Sequence, residues 1–550
     1  MSLFVLDFVC VPEQINNLQS RTCKKKDTPG TLLMKFLFTI LYLLLFSAHL
    51  HAEVVALPYP STIKLVDEKA DSKPGSRQLV QLYFRSSTSN ANTTNNSGDL
   101  AQSNPNDLWQ DKEASSRAPL WKPAAQVVAV NLLFMGYNRY IAKAEYGYVN
   151  FDTWKHNLSS EPEWDTDEFG INFIGHPYQG TLYFNAARSQ GYTYWQSLPF
   201  AVAGSLTWEY FGENTLPSYN DMIYTPLNGA ALGEILYRVS SNILDDRTRG
   251  RERAIREVAA GIINPVRGLN RLLQGQTFRV SDQDLYESEP INVTVFAGLH
   301  RLNNEENDLF GKGKSNAMLS LQLDYGRPYE IMKRQPFDFF RLRAEFSSGK
   351  ADTIASLINN VTGYGILAGH NMQLGKLSLL TGAFQYYDYW NTRNFELGSL
   401  SFGGGVFSML EFGNRVNLYT NAHVGIIPLA GNSTRSAQDL ANFRKYTYNT
   451  GLQGKIESTL ALSDHASIAF VYYHFWLNTF DGLEGNNSIG IVRPRATVQL
   501  YKNLSLGYEH FGYSTNRRLD DYPDQRSVIT EQKIFLQLFL EAPQRSGGYH

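Results

Sequence analysis

The sequence predicts an α+β chain: an N-terminal helical domain followed by an antiparallel transmembrane β-barrel of about 12 strands. Three observations predict it. A short apolar run near the N-terminus reads as an export signal, the middle of the chain is built of helix-length segments between cap and stop residues, and from Ile291 the apolar period changes from 3.6 residues to 2. Composition agrees, since 13% of the 550 residues are aromatic and 43 are glycine, while only 19% are charged. The formal net charge of −2 gives no global electrostatic reason to bind nucleic acid, which is excluded as a partner.

The export signal is Phe36 to Phe46, preceded by Lys35 and by Lys24, Lys25 and Lys26, and followed by a small-residue tract ending at Ala52. A spanning helix needs about 20 apolar residues, so this run is a signal peptide and residues 1–52 are removed. Met34 stands directly before Lys35, which makes it the expected true start and residues 1–33 an over-extended reading. Cys10 and Cys23 are the two cysteines and both precede the cleavage site. The mature chain therefore has neither disulfides nor thiolate metal sites. No HExxH or comparable ligand spacing occurs, so neither a metal nor any other cofactor is expected.

Residues 53–119 are rich in Ser, Asn, Thr and Asp, as in SSTSNANTTNNSGD at 86–99, and carry too little apolar surface to offset the entropy of ordering. They read as a disordered leader. Residues 120–280 read as a helical domain, expected in the periplasm. Pro177 opens one helix, which Gly191 closes, and Pro199 and Pro226 open two more. Proline at a first helical position loses no intrahelical bond there. A further helix covers about Arg251 to Ile263 and a short one follows Pro265.

Residues 285–543 read as the outer-membrane barrel. In β-type alternation, Ile291, Val293, Val295, Ala297 and Leu299 face one way and Asn292, Thr294 and His300 the other. Similar segments recur at about 314–327, 337–348, 362–374, 376–390, 396–412, 414–428, 446–462, 465–480, 488–501, 503–514 and 530–541. An even number of such strands behind a signal peptide implies closure, because in lipid every backbone group must pair internally. Aromatic clusters at Tyr386, Tyr387, Tyr389 and Trp390, and at Tyr472, Tyr473, Phe475 and Trp476, fit interfacial girdles. The segments KLSLLTGAFQYYDYW and HASIAFVYYHFWL are apolar on both faces, as if the wall there packed against something. Arg341, Arg343, Glu345, Lys455, Glu457, Arg493 and Arg495 are expected in the lumen.

The most specific stretch lies among the helices. It runs Trp164-Asp165-Thr166-Asp167, Asn172, His176-Pro177-Tyr178-Gln179-Gly180, Ala187-Arg188, Gly204-Ser205, Trp208-Glu209, Glu213, Pro217-Ser218, Asn220-Asp221, Asn228-Gly229 and Gly233-Glu234. This order of HP-x-x-G, W-E, P-S-x-N-D and G-E motifs resembles the uncharacterised bacterial family "domain of unknown function 3943" over about residues 120–275. The resemblance implies a Gram-negative envelope protein and supplies no activity.

His176, Glu209, Glu213, Ser218 and Asp221 are the candidate catalytic residues. Glu209 and Glu213 are four apart, so on one helical face their charges repel and require compensation by a shared proton, a cation, Arg188 or His176. Ser218 is a candidate nucleophile, or equally the N-cap of a turn. Arg188, Asn220, Glu234, Arg249 and Arg253 are candidate binding residues. Between Arg238 and Arg279 nine arginines face only Asp245, Asp246, Glu252 and Glu257. Guanidinium groups suit phosphate, so lipopolysaccharide phosphates join outer-membrane lipid as expected partners, with a solvated helix face as the plain alternative.

A barrel of this size leaves a modest lumen, too small for some 150 residues. The helices are therefore expected to cap one mouth, with at most one element inserted. The sequence reading is an outer-membrane barrel with a periplasmic helical domain that caps or partly plugs it, in transport or envelope organisation. The alternative is an envelope enzyme acting on lipid or peptidoglycan through the His/Glu/Asp cluster. Whether the protein is an enzyme, and its oligomeric state, are left open by the sequence.

Overall fold

A computed structural model describes residues 117–541, except 283–284, 287–288, 304–309, 311, 349–356, 414, 435–445, 463–464 and 521. The expected signal peptide, start and almost all of the leader lie outside the described residues.

Twelve antiparallel strands close into one barrel, each paired with its chain neighbours and β1 paired with β12. They are β1 (Ile291–Leu302), β2 (Ser315–Tyr325), β3 (Phe340–Ser347), β4 (Ile358–Leu374), β5 (Leu377–Asn391), β6 (Phe395–Phe412), β7 (Val416–Thr434), β8 (Thr447–Leu462), β9 (Ala466–Asp481), β10 (Gly485–Tyr501), β11 (Leu504–Leu519) and β12 (Gln525–Glu541). The seam runs from Asn292↔Glu541 to Leu302↔Glu531, so no strand edge is left open. Ile291 and Glu541 lie at the same end, here termed the terminal mouth.

Alternation sorts the side chains. Val424, Ile426, Leu452, Ile468, Val498 and Ile534 point outward and are exposed, an apolar band that runs from β7 round to β12. Inward stand Arg341, Arg343, Glu345, Lys455, Glu457, Arg493 and Arg495. They are joined by Glu509, Glu531 and Lys533, all buried.

The lumen is filled by the barrel itself. Near the far mouth, Trp390, Phe395, Phe475, Leu477, Ile491 and Phe511 form an apolar layer. Near the terminal mouth, Phe339, Ile366, Leu380, Phe384 and Phe407 form a second, against which Tyr329 packs. Tyr329 and Phe339 belong to the β2–β3 loop, which folds inward: Arg334 donates to Asn371 Oδ1 at 3.0 and 2.8 Å and Tyr329 donates to the Ser408 carbonyl at 3.3 Å. Between the layers lies a cavity of about 60 Å³.

The helical part comprises α1 (Trp121–Gly136), α2 (Phe151–Ser159), α3 (His176–Arg188), α4 (Tyr194–Phe211), α5 (Tyr219–Ile243), α6 (Gly250–Ile263) and α7 (Pro265–Leu273). Pro177 opens α3 as expected, and Gly191 ends it at φ 87°. The starts assigned at Pro199 and Pro226 are corrected, since both prolines lie inside longer helices. For α4 the reason is a capping box in which the Thr193 side chain accepts from Gln196 N and the Gln196 side chain accepts from Thr193 N. Helices α3 and α5 touch backbone to backbone: a Cβ on Gly180 would stand 2.1 Å from the Thr225 carbonyl oxygen, and one on Gly229 2.5 Å from Gly180. Any larger residue at either point would part them.

Among the described residues these helices do not fill the lumen as the expected partial plug would. They lie against the outside of the wall. Outward-facing Tyr387 donates to the Phe173 carbonyl at 2.5 Å, while outward-facing Gln385 accepts from Tyr194 Oη at 2.8 Å and donates to the Leu227 carbonyl at 2.8 Å. At the terminal mouth Arg238 pairs with Asp338 at 3.1 Å. Helix α5 runs down the wall from Tyr224, beside Tyr387 and Tyr389, to Asn242, which donates to the Glu289 carbonyl. At 1.5 Å per residue its 25 residues measure about 37 Å, enough to match a bilayer core. The physical reason is apolar complementarity. Outward residues of β1 to β3, such as Val295, Leu321, Leu323 and Phe340, share one core with helical Tyr183, Phe184, Ile235 and Val239.

The expected girdles are corrected for the same reason. Tyr387 and Tyr389 are buried under the helices, and Tyr386, Trp390, Tyr473 and Phe475 fill the lumen; of the two clusters, only Trp476 is well exposed. Strand β5 is apolar on both faces because one packs the lumen and the other carries the helices.

Candidate functional site

The candidate catalytic residues gather where the helices meet the far end of the wall. Residues 161–176 form a connection and a π-turn, Ile171–Gly175, that delivers His176 to the start of α3. Glu163 and Ser218 make a short parallel bridge, with Glu163 N donating to the Pro217 carbonyl and Tyr219 N to the Glu163 carbonyl. That bridge sets Asp165 beside the first turn of α5, where Asp165 N donates to Asn220 Oδ1 at 3.0 Å. Tyr446 and Tyr448 of the wall donate to the Asp167 and Asp165 carbonyls at 3.0 and 3.3 Å.

His176 Nε2 stands 3.9 Å from Asp221 Oδ1, both side chains being buried. Their ligating atoms and one carboxylate oxygen of Asp165 all lie within 4.8 Å of one another. Glu209 is 4% exposed and its Oε2 accepts from Ser218 N at 2.8 Å. Glu213 lies beyond the end of α4, which corrects its expected place on the same helical face as Glu209. Trp208 Nε1 donates to Glu213 Oε1 at 2.6 Å and Thr215 to its Oε2 at 3.0 Å.

Electrostatics follow from crowding. Burial, then Asp221 and Glu213, push the Glu209 carboxyl well above the usual carboxylate range. Burial raises Glu213, and burial with Asp165 and Glu213 raises Asp221 far up. Asp167 at the edge is pushed to about 6, mostly by desolvation and Asp165. His176 is a basic group that acts on both Glu209 and Glu213 and opposes their rise. Arg188 does not compensate the cluster, contrary to one sequence-based option.

Arg188 instead meets Glu234 through Nε at 2.7 Å and Nη2 at 3.2 Å, and Arg238 Nε reaches the same carboxylate at 2.9 Å. Two guanidinium groups thus face the fully buried Glu234 carboxylate. With Arg238, the predicted binding residues Arg188 and Glu234 form a buried triad.

The arginine-rich segment is likewise mostly internal. Asp246 Oδ1 accepts from Arg253 at 3.1 Å, from Arg271 at 3.0 Å and from Tyr286 at 2.9 Å, and its Oδ2 accepts from Arg279 at 2.7 Å. Arg253, expected as a binding residue, is thus a buried member of this knot, while Arg249, before α6, is exposed. Sequence reading missed Asp246 as the hub. The available signal was an Asp-Asp pair at the head of an arginine run. It also missed Tyr446 and Tyr448, 279 and 283 residues away in sequence from the groups they anchor, and nothing local marks them.

In the lumen the predicted charges are paired across strands: Lys455 with Asp388 at 2.6 Å, Arg493 with Glu509 at 2.8 Å, Arg341 with Asp324 and Glu457, and Lys533 with Glu345. Arg343 lies 3.7 Å from Glu345 and 3.8 Å from Glu509, and Arg495 is 3.9 Å from Glu509.

The chain is similar to several solved outer-membrane proteins at low identity. The NanC porin is 8% identical, over 45% of this chain and 98% of that one, with a TM-score of 0.25. The COG4313 outer membrane channel from Pseudomonas putida F1 is 10% identical, over 46% and 96%, at 0.26. An anion-selective porin from Comamonas acidovorans is 8% identical, over 46% and 98%, at 0.22. No curated protein matches the chain. Residues 161–266, from the bridge at Glu163 to the first turn of α7, match the family model described as "Domain of unknown function (DUF3943)".

Proposed function

We propose that the protein is a non-conducting outer-membrane barrel that holds its helical module within the lipid layer, and that its role is to present the His176/Asp221/Glu209 cluster to envelope lipid. The observation that carries this reading is the placement of the helices on the outer wall of a barrel whose lumen is narrowed by two apolar layers of its own side chains. The free side of the module supports it. Residues 123–138 and 194–208 contain no charged residue, and Val128, Leu132, Leu133, Trp195 and Leu206 are exposed there. Exposed apolar side chains of this kind suit acyl chains. Exposed Arg249 and Arg251, at the polar end of the module, suit headgroup phosphates.

The enzymatic form of this reading rests on the crowded carboxylates and His176 at the rim. Ser218 meets Glu209 through its backbone, which favours a structural part for it over that of nucleophile.

Purified protein in planar bilayers tests the proposal. The expected result is membrane insertion without steady conductance; a stable open-channel current would overturn it and return the lumen to a transport role.

A further inference from the structure

We infer that Asp165, His176 and Asp221 form a binding site for one divalent transition cation, of the zinc or manganese kind. The three donors come from separate stretches: the connection before the π-turn, the start of α3 and the first turn of α5. Bringing a buried imidazole, a buried carboxylate and a half-buried one to one point has a clear use if an ion joins them. The inference concerns the site alone and does not depend on whether the module lies in lipid.

Distance is the first argument. His176 Nε2 and Asp221 Oδ1 are 3.9 Å apart, too far for a hydrogen bond. Two donors each ~2.1 Å from one ion stand at most about 4.2 Å apart, so this gap has the size of a shared ligand position. The full set lies within 4.8 Å, which a small side-chain rotation closes.

The second argument is an orphaned acceptor. Asp221 is 2% exposed, yet its Oδ1, the atom that faces His176, has no hydrogen-bond partner. A buried carboxylate oxygen without a donor is costly unless a proton or a cation satisfies it. Charge points the same way: the buried carboxyls of Glu209 and Glu213 stand close by. A divalent ion would neutralise this excess where one histidine does not.

Ligand chemistry selects the ion. Imidazole with carboxylates suits zinc or manganese better than the all-oxygen sets preferred by calcium and magnesium. Three protein donors also leave coordination positions for water or a substrate oxygen. The sequence offered no warning, because the ligands are spaced 11 and 45 residues apart instead of in a helical repeat.

The test is binding of Mn²⁺ to the full chain in detergent at neutral pH, followed by electron paramagnetic resonance. One ion per chain with nitrogen coupling from an imidazole is expected. His176→Gln should abolish that coupling, and Asp221→Asn should weaken binding by at least about tenfold, as even outer-shell losses do. Zn²⁺ should displace the Mn²⁺ signal. Heat-modifiable gel mobility checks that each variant retains its barrel. Absence of saturable binding to the wild-type chain, or bound Mn²⁺ without nitrogen coupling, would overturn the inference whatever the variants do. So would coupling that persists in His176→Gln.

Discussion

The Phe173 ring occupies the space that a side chain on Gly431 would need: a Cβ built there would stand 2.1 Å from the ring. Gly398, on the neighbouring strand, seats the same ring, with a Cβ at 2.3 Å. Two glycines on the outer face of the barrel are thus a socket for the helical module.

Replacing Gly431 with Ala should lift the module off the wall at a cost of about 1–3 kcal/mol, the usual scale of overpacking. Limited proteolysis should then cut within 161–266 faster, while the barrel keeps its heat-modifiable mobility. Phe173→Ala in the same chain should recover part of the loss; no coupling between the two changes would mean the socket does not hold the module.

Glu234 is fully buried between two guanidinium groups. Glu234→Ala should destabilise the helical module by about 3–5 kcal/mol, because Arg188 and Arg238 would remain buried without their carboxylate. Arg188→Lys should also cost stability, since it loses the two-point contact with Glu234. Thermal unfolding of the module, followed apart from barrel unfolding, measures both.

The carboxylate cluster fixes a sign for pH dependence. Glu209, Glu213 and Asp221 are raised in the folded state, so the native module binds more protons than the unfolded chain. Their contribution is fully present below the ordinary carboxylate range and is lost as pH rises through the raised values. Lowering pH from neutral toward about 5 should therefore stabilise the module in metal-free buffer, and Glu209→Gln should flatten that response. A wild-type profile equal to that of Glu209→Gln would refute the crowding argument.

If the module faces lipid, its exposed apolar positions should be shielded from water. Spin labels on Leu132→Cys and Leu206→Cys, in a chain truncated to begin at Met34 and hence without native cysteines, should relax strongly with oxygen and weakly with a water-soluble nickel complex. Arg249→Cys should show the reverse. Equal nickel access at all three sites would place the module in water.

Much of the fold could be read from local pattern. Most of the strands follow from period-two alternation, because each inward or outward choice is made residue by residue along the strand, while β5 and β9, apolar on both faces, are marked by their length and bounding turns. Helix starts were less legible. Pro199 and Pro226 look like first-turn residues, but upstream segments around Thr193 and Ser218 extend the helices past them. At the site, the motif order drew attention to His176, Glu209 and Asp221. Asp165 gains its place only through the bridge at Ser218, and Asp246 only through arginines up to 33 residues away.

By itself the sequence determined that the C-terminal half is a closed barrel, charged within and apolar without, since closure is the sole way such strands satisfy their backbones in lipid. Only the tertiary structure decided on which side of that wall the helices lie. The reason is that outward residues of β1 to β8 are mostly apolar whether they meet acyl chains or another protein surface. Alternation cannot tell the two apart, and the choice falls to shape: a pair of glycines on the wall and one phenylalanine ring that fits between them.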